Sequence, residues 1–415
     1  MNVVKFAYYD EFHCTGPECP DSCCKDWRIT LTKREYLDYK KMKCSPQLRT
    51  IVDSAFKRLK NGSDIQYAEM KLKENGDCPF LGEDSLCMIQ KEKGEEALSF
   101  VCGGFPRISM PYGEQTVIEA CTSTCHHVTE LLMSHPEGLE IIETEYDGKD
   151  RFLNAGRYSQ KAITKEHKAY DHYWSILNAQ IDILQNRGFT VPERMLILGY
   201  FCSKADGYVE NNEAEKIPAL ADMLLDNELC RRIADSLKPP MSDINSAIQS
   251  VNILLRMNGR AQGFNSQPNG SERSAIAKKF QKVMERLGLD SKLNENGEIE
   301  AKFSFSAYEN LRQIYRSIEN ERPYIIENLL VNTVFTQNPQ KRIWKNYFAL
   351  AVFYNVLKIC VPAFLPENYG DKELALALTY AAKMVLNSDL AEEGTFNDFF
   401  LEDKYTLPYA AFLIC

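Results

Sequence analysis

The stretch Cys14-Thr-Gly-Pro-Glu-Cys19-Pro-Asp-Ser-Cys23-Cys24 spaces four thiols as C-x4-C-x3-C-C. Further along come Cys78-Pro-Phe-Leu, Cys87 after a gap of eight residues, Cys102-Gly-Gly-Phe-Pro-Arg107, and Cys121-x3-Cys125. These nine thiols, interleaved with Pro and Gly, suit loops pinned by something other than a large core. Thiolates are soft ligands that suit zinc or iron–sulfur clusters. Four suffice for one zinc ion or one cubane cluster, so nine exceed one site. A single ion would strain the backbone to take both of the adjacent Cys23 and Cys24. A cluster, whose irons are separated, can use one and keep the other beside it.

The chain has 415 residues and 14 cysteines, ten of them between Cys14 and Cys125. The tenth, Cys44, lies outside the spacing pattern. Together with Cys202, Cys230, Cys360 and Cys415 it reads as a small buried apolar residue. The first ten residues hold no apolar core of signal-peptide length. The expected location is therefore the cytoplasm, where a dense cysteine cluster points to metal or catalysis and away from disulfides. The most apolar stretch, Phe348 to Leu365, is broken by Asn355, Lys358 and Pro362, so it reads as a buried helix with no membrane insertion. The net charge of −9 argues against a nucleic-acid partner. Residues 1–150 carry 18 basic and 26 acidic side chains, so nearly all of the acidity lies in the cysteine-rich part.

Absences narrow the chemistry. No C-x2-C pair occurs, so half of a zinc ribbon is missing. The C-x3-C-x2-C triplet of radical S-adenosylmethionine enzymes is also missing, because Asp26 stands where its third cysteine would be. Neither G-x-G nor G-K-[ST] occurs, which excludes the usual dinucleotide fingerprint and the P-loop. His13, His126 and His127 flank the cysteines as secondary ligand candidates. Arg107 is a candidate to hold a carboxylate or to neutralise a cluster's negative charge. Asp26 and Glu119 are candidate bases toward a substrate amine. Tyr8, Tyr9 and Phe12 read as packing around the first cysteine loop.

The spacing predicts a mainly α fold: an irregular cysteine-rich metal-binding domain over 1–130, then an all-α domain over 131–415 with a candidate division near 290. In the first part, residues 28–32 read as a short strand. Thr32-Lys-Arg-Glu35 reads as a capping box opening a helix to about Cys44, and a second helix spans 45–60. In the second part Tyr173, Ile176, Leu177, Ile181 and Leu184 share a helical face that Gly188 can end. Pro192 opens the next helix. More helices are expected near 214–237, 243–258, 272–288, 307–331, 339–360 and 371–387, with Asn338-Pro339 and Asp371 as start signals. Residues 258–271 and 290–300 read as exposed loops.

With these residues in view, the cysteine pattern resembles the zinc- or iron-chelating domain of the YkgJ type. The longer chain, with Cys121-x3-Cys125 and a helical remainder, resembles the flagellin lysine-N-methylase family, FliB. The motif match covers about the first 130 residues. The resemblance implies methyl transfer from S-adenosylmethionine to surface lysines of flagellin. It also implies an iron–sulfur cluster, a [4Fe-4S] cluster with zinc as the alternative, held by Cys14, Cys19, Cys23, Cys24, Cys78, Cys87, Cys102, Cys121 and Cys125. Two rival expectations stand beside it: a flagellin- or protein-binding module stabilised by zinc, and a redox sensor whose cluster controls a partner.

Overall fold

Strand β1 (Asn2–Phe6) is an apolar run that is buried from Val3 onward. Val3 packs on Val117 at one face, while Val4 and Phe6 on the other join the large hydrophobic core. The computed structural model describes residues 1–25, 28–145, 163–239, 243–263, 271–293, 299–337, 343–386 and 406–415.

Between β1 and the next strands of its sheet, the chain builds a smaller unit. It contains β2 (Thr30–Leu31), α1 (Lys33–Lys41), α2 (Pro46–Ser54), β3 (Phe56–Arg58), β4 (Ala68–Met70), α3 (Met88–Lys93) and α4 (Phe100–Gly104). Its sheet has the order β2-β4-β3. The capping box forms as the sequence predicts: Glu35 N–H donates to Thr32 Oγ1 at 3.2 Å, and Thr32 N–H donates to Glu35 Oε2 at 2.8 Å. Leu31, Leu48, Val52, Phe56 and Phe80 fill a separate small core. The chain then returns to the first sheet through β5 (Arg107–Tyr112), β6 (Thr116–Cys121) and β7 (Ile141–Glu145), with α5 (His126–Met133) after β6.

The sheet order is β5-β6-β1-β7. Strand β1 runs parallel to β6 and antiparallel to β7, and β5 pairs antiparallel with β6 so that Arg107 stands opposite Cys121. Parallel neighbours need a long connection. Here that connection carries the whole small unit. The pairing has a direct consequence for the thiols. The chain leaving β1 toward Cys14, the chain entering β5 from Cys102, and the chain leaving β6 toward Cys125 all lie at one end of the sheet.

The helical part follows as α6 (Tyr173–Gln185), α7 (Val191–Glu210), α8 (Ile217–Met223), α9 (Asn227–Leu237), α10 (Asp243–Gly263) and α11 (Ser271–Arg286). A hairpin of β8 (Asp290–Leu293) and β9 (Ile299–Lys302) leads to α12 (Phe305–Glu321), α13 (Pro323–Phe335), α14 (Ile343–Phe364), α15 (Asp371–Leu386) and α16 (Leu407–Ile414). Helix α14 is long and apolar enough to cross a membrane, yet 89% of its most apolar window is buried inside the protein. Its polar residues have partners there. Lys358 Nζ donates to the carbonyls of Leu413 and Ile414 at 2.8 Å, closing the end of α16, and Asn355 Oδ1 accepts from Ser250 at 2.7 Å. Those carbonyls are groups a helix end leaves open.

Helix α13 ties the two parts together through polar side chains. Asn332 Nδ2 donates to the Cys121 carbonyl at 3.0 Å, and Tyr8 Oη donates to Asn332 Oδ1 at 2.5 Å. One turn earlier, Asn328 Nδ2 donates to the carbonyls of Leu132 and His135, both at 2.8 Å. Buried Glu327 accepts from Arg194 at 2.7 Å and from Arg187 at 2.9 Å.

The fold is mainly α, as the sequence predicts, but the first part is more regular than expected and residues 131–415 are not all-α, since β7 completes the first sheet and β8–β9 form a hairpin. The short strand expected over 28–32 is there as β2 (Thr30–Leu31), but β1 and β6 escape detection because they are buried on both faces and lack the alternation that marks a half-buried strand. The helix expected over 45–60 ends at Ser54, and Phe56–Arg58 is strand β3. The helix expected over 307–331 is two, because Pro323 starts a new helix directly after Arg322. The stretch 214–237 likewise divides into α8 and α9, and 290–300 contributes to the β8–β9 hairpin. The start signal Asn338-Pro339 lies outside the described residues.

Replacing Asn332 with Ala leaves the Tyr8 hydroxyl and the Cys121 carbonyl buried without that partner. The expected loss of stability is about 1–3 kcal/mol, read as a lower denaturant midpoint. An unchanged midpoint would contradict the tie.

Candidate metal centre

One cavity of about 430 Å³ opens where the small unit meets the end of the first sheet. Cys14, Cys19, Cys23, Cys24, Cys78, Cys87, Cys102 and Cys125 all line it. Eight of the nine cysteines picked from the spacing therefore share one wall-to-wall space. All are free thiols. Four separate local structures deliver them. Cys14 to Cys24 lie on the loop after β1, Cys78 and Cys87 flank a tight turn, Cys102 sits in α4, and Cys125 caps α5. The turn is closed by a bridge between Leu81 and Cys87. Cys78 N–H donates to the Cys24 carbonyl at 2.8 Å, which sets the first loop against that turn.

The cavity suits thiolates and resists them at once. Burial, with added repulsion from Cys24, Cys102 and Cys87, pushes the Cys78 thiol up to about 12. Burial likewise pushes Cys102 up to about 12 and Cys125 up to about 11. Cys23 and Cys24 share a hydrogen bond that raises Cys23 and lowers Cys24 to about 7. Against burial, backbone N–H groups favour the thiolate: those of Phe80 at Cys78, Ile89 and Gln90 at Cys87, Asp21 at Cys19, and His127 and Val128 at Cys125. Cys87 and Cys125 are the N-cap residues of α3 and α5, where the helix dipole adds to this effect. Thiols gathered in one partly shielded space and supplied with N–H donors are residues that could hold a cation or cluster.

Cations are few around the cavity. Arg107 lines it, with its guanidinium 5.0 Å from the centre of the Phe12 ring. Asp21, between Cys19 and Cys23, pairs with Lys383 of α15 at 2.5 Å, so the helical part holds the first cysteine loop. His127 also lines the cavity. Its Nδ1 lies 3.1 Å from Glu130 Oε2, while its Nε2 is buried without a hydrogen-bond partner among the described residues. The His13 ring stands 4.7 Å from the His127 ring. His127 therefore has a fixed orientation, set by Glu130, that spacing alone does not reveal.

The remaining candidates stand elsewhere. Cys121 is fully buried on β6 and does not line the cavity, although the Arg107 charge acts on it. Glu119 is buried on the same strand and accepts from Ser109 Oγ at 3.4 Å. Asp26 lies outside the described residues. His126 is turned toward Glu130, with 3.2 Å between Nε2 and Oε1. Tyr8 and Tyr9 are buried in the large core, and Phe12 lies at its margin with the cavity. Cys44 packs on the small core, while Cys202, Cys230 and Cys360 are buried in the large one. Among the described residues, no three His, Cys, Asp or Glu side chains converge as a ready-made single-ion site. The thiols surround a space; they do not close on one point.

Comparison with known proteins sets this geometry in a family. The family described as the FliB lysine N-methylase C-terminal domain matches residues 178–384. That range runs from α6 into α15 and includes both Asn332 and Lys383. The flagellar biosynthetic protein FliU of Salmonella muenchen is 33% identical over 163 residues, which is 39% of this chain and 94% of that protein. Proteins named lysine-N-methylase from Salmonella typhimurium (strain LT2) and Salmonella choleraesuis (strain SC-B67) are each 35% identical over 144 residues. That match covers 34% of this chain and 35% of each of those two proteins. No solved structure matches the chain. By its C-terminal match and its relation to FliU, the chain belongs to the FliB lysine N-methylase family.

Proposed function

We propose that this protein transfers methyl groups from S-adenosylmethionine to lysine side chains of flagellin, using the thiol-lined cavity as the site of a [4Fe-4S] cluster. The observation that carries this reading is the gathering of eight free thiols and Arg107 around one cavity. A mononuclear zinc site needs four donors within bonding range of one point. A cluster spreads its ligands over separate irons, which agrees better with thiols that surround a space. Family membership supports lysine methylation; flagellin as substrate follows from the same membership and is part of the proposal.

Arg107 can hold the donor's carboxylate through paired hydrogen bonds, oriented by its contact with Phe12. Phe12, Ile29 and Phe80 supply apolar wall that keeps water from the donor. Lysine must lose a proton before its amine can attack a methyl group. His127 Nε2 at the cavity is placed to accept a hydrogen bond, while Glu130 fixes the ring. An iron–sulfur cluster, when bound, would offer either an open iron for the donor's amino and carboxyl groups or an electron.

Flagellin incubated with the anaerobically purified protein and methyl-labelled S-adenosylmethionine should acquire label on lysine. The label should disappear with Cys23→Ala or Cys102→Ala. Arg107→Ala should raise the KM for the methyl donor by about tenfold or more. Flagellin that binds intact but stays unlabelled would overturn the enzyme and support a binding platform. Lys383→Met removes the cation facing Asp21. It should lower stability by about 1 kcal/mol and speed loss of iron during gel filtration. Unchanged iron retention would show that α15 does not hold the first cysteine loop.

A further inference from the structure

The eight cavity thiols do not form one undivided ring. Cys78 is buried in the small core, and Cys24, Cys87 and Cys102 pack against that same core. Cys14, Cys19 and Cys23 have no place in it, and Cys125 packs on the large core instead. Backbone contacts repeat the division. The Cys24 carbonyl accepts from Cys78 N–H, and Cys87 bridges to Leu81 across the same turn. On the other side, α5 carries Cys125 and His127 beside His13, the residue before Cys14.

The thiols close enough to influence one another's ionisation divide in the same way. Cys24, Cys87 and Cys102 act on Cys78, and Cys24 and Cys87 act on Cys102. Cys14 and Cys19 act on Cys125, and Cys14 acts on Cys19. Cys14 and Cys125 act on Cys23. The adjacent residues Cys23 and Cys24 join the two sets through their shared hydrogen bond.

We propose that the cavity holds two metal centres, an inner one on Cys24, Cys78, Cys87 and Cys102 and an outer one on Cys14, Cys19, Cys23 and Cys125. Each set supplies four thiolates, enough to ligate every iron of one cluster, which leaves such a cluster the electron-supplying role and no open iron. The division also gives the Cys23-Cys24 pair a purpose. Neighbouring residues that would strain to serve one centre serve one each. The inner centre lies against the small core and staples that unit, whose core of twelve buried residues is far smaller than that of the helical part. The outer centre has the exposed Cys14 at its rim, with Phe12 lying between the Arg107 guanidinium and the His127 ring. The outer centre is thereby the one open to solvent.

This inference rests on the metal-site reading above but is counted separately from methyl transfer. The test uses full-length protein reconstituted anaerobically with ferrous iron and sulfide, then desalted, with iron and sulfide measured per chain. The wild type should hold about twice the iron and sulfide of either paired variant. Cys14→Ser with Cys125→Ser should lose one half and retain the other, with the far-ultraviolet circular dichroism unchanged. Cys78→Ser with Cys87→Ser should lose the complementary half; if that variant fails to fold, the outer variant and the wild-type stoichiometry still decide. Cys121→Ser should lose none. A wild type holding one cluster's worth, or an outer variant holding no iron, would overturn the division. Stoichiometric zinc without sulfide in the purified protein would overturn the assignment of both sites, since the thiols do not close on single points.

Discussion

Eight thiols crowd one cavity, all but Cys14 at least partly shielded from water, and they cannot all carry charge there without a partner. This constraint organises the structure. Burial alone drives most of these thiols toward the protonated form, and neighbouring thiols drive them further. The protein answers with N–H donors at Cys19, Cys78, Cys87 and Cys125, two of them at helix starts. These donors favour thiolates without neutralising them. The proposed metal centre would supply the positive charge that this arrangement favours, and its binding would release the protons that burial retains. Small units with few apolar side chains commonly depend on such a staple.

The division of the chain follows from the same requirement. The sheet gathers the loop after β1, the entry to β5 and the exit from β6 at one end, and the small unit folds as an insertion between them. The helices then fix that end from outside. Asn332 grips the Cys121 carbonyl and Tyr8, while Lys383 holds Asp21 in the first cysteine loop. Both residues lie in the stretch that matches the FliB C-terminal domain. The helical part thus positions the cysteine loops, in addition to any role in gripping a protein substrate.

The cysteine grammar was the most legible feature of the sequence because ligand chemistry leaves residue types at fixed spacings. Eight of the nine thiols meet at one cavity. Cys121 was indistinguishable from them by spacing, since only the strand register shows that it faces the core. The long helices were also legible, from their periodicity and from caps such as the Thr32–Glu35 box. Strand β2 was legible in residues 28–32, but β1 and β6 were not, because a strand buried on both faces reads as an apolar run. His127 carries no sequence signal beyond its neighbour Cys125; its orientation depends on Glu130 one helical turn away. The division into two sets of four was hidden for a similar reason. It depends on which thiols the small core gathers, and that is a long-range property.

X-ray absorption at the iron edge of protein purified without air tests the metal assignment most directly. The account predicts iron bound wholly by sulfur, with a second shell of iron neighbours and matching acid-labile sulfide. Stoichiometric zinc without sulfide, or iron surrounded by oxygen and nitrogen, would contradict it.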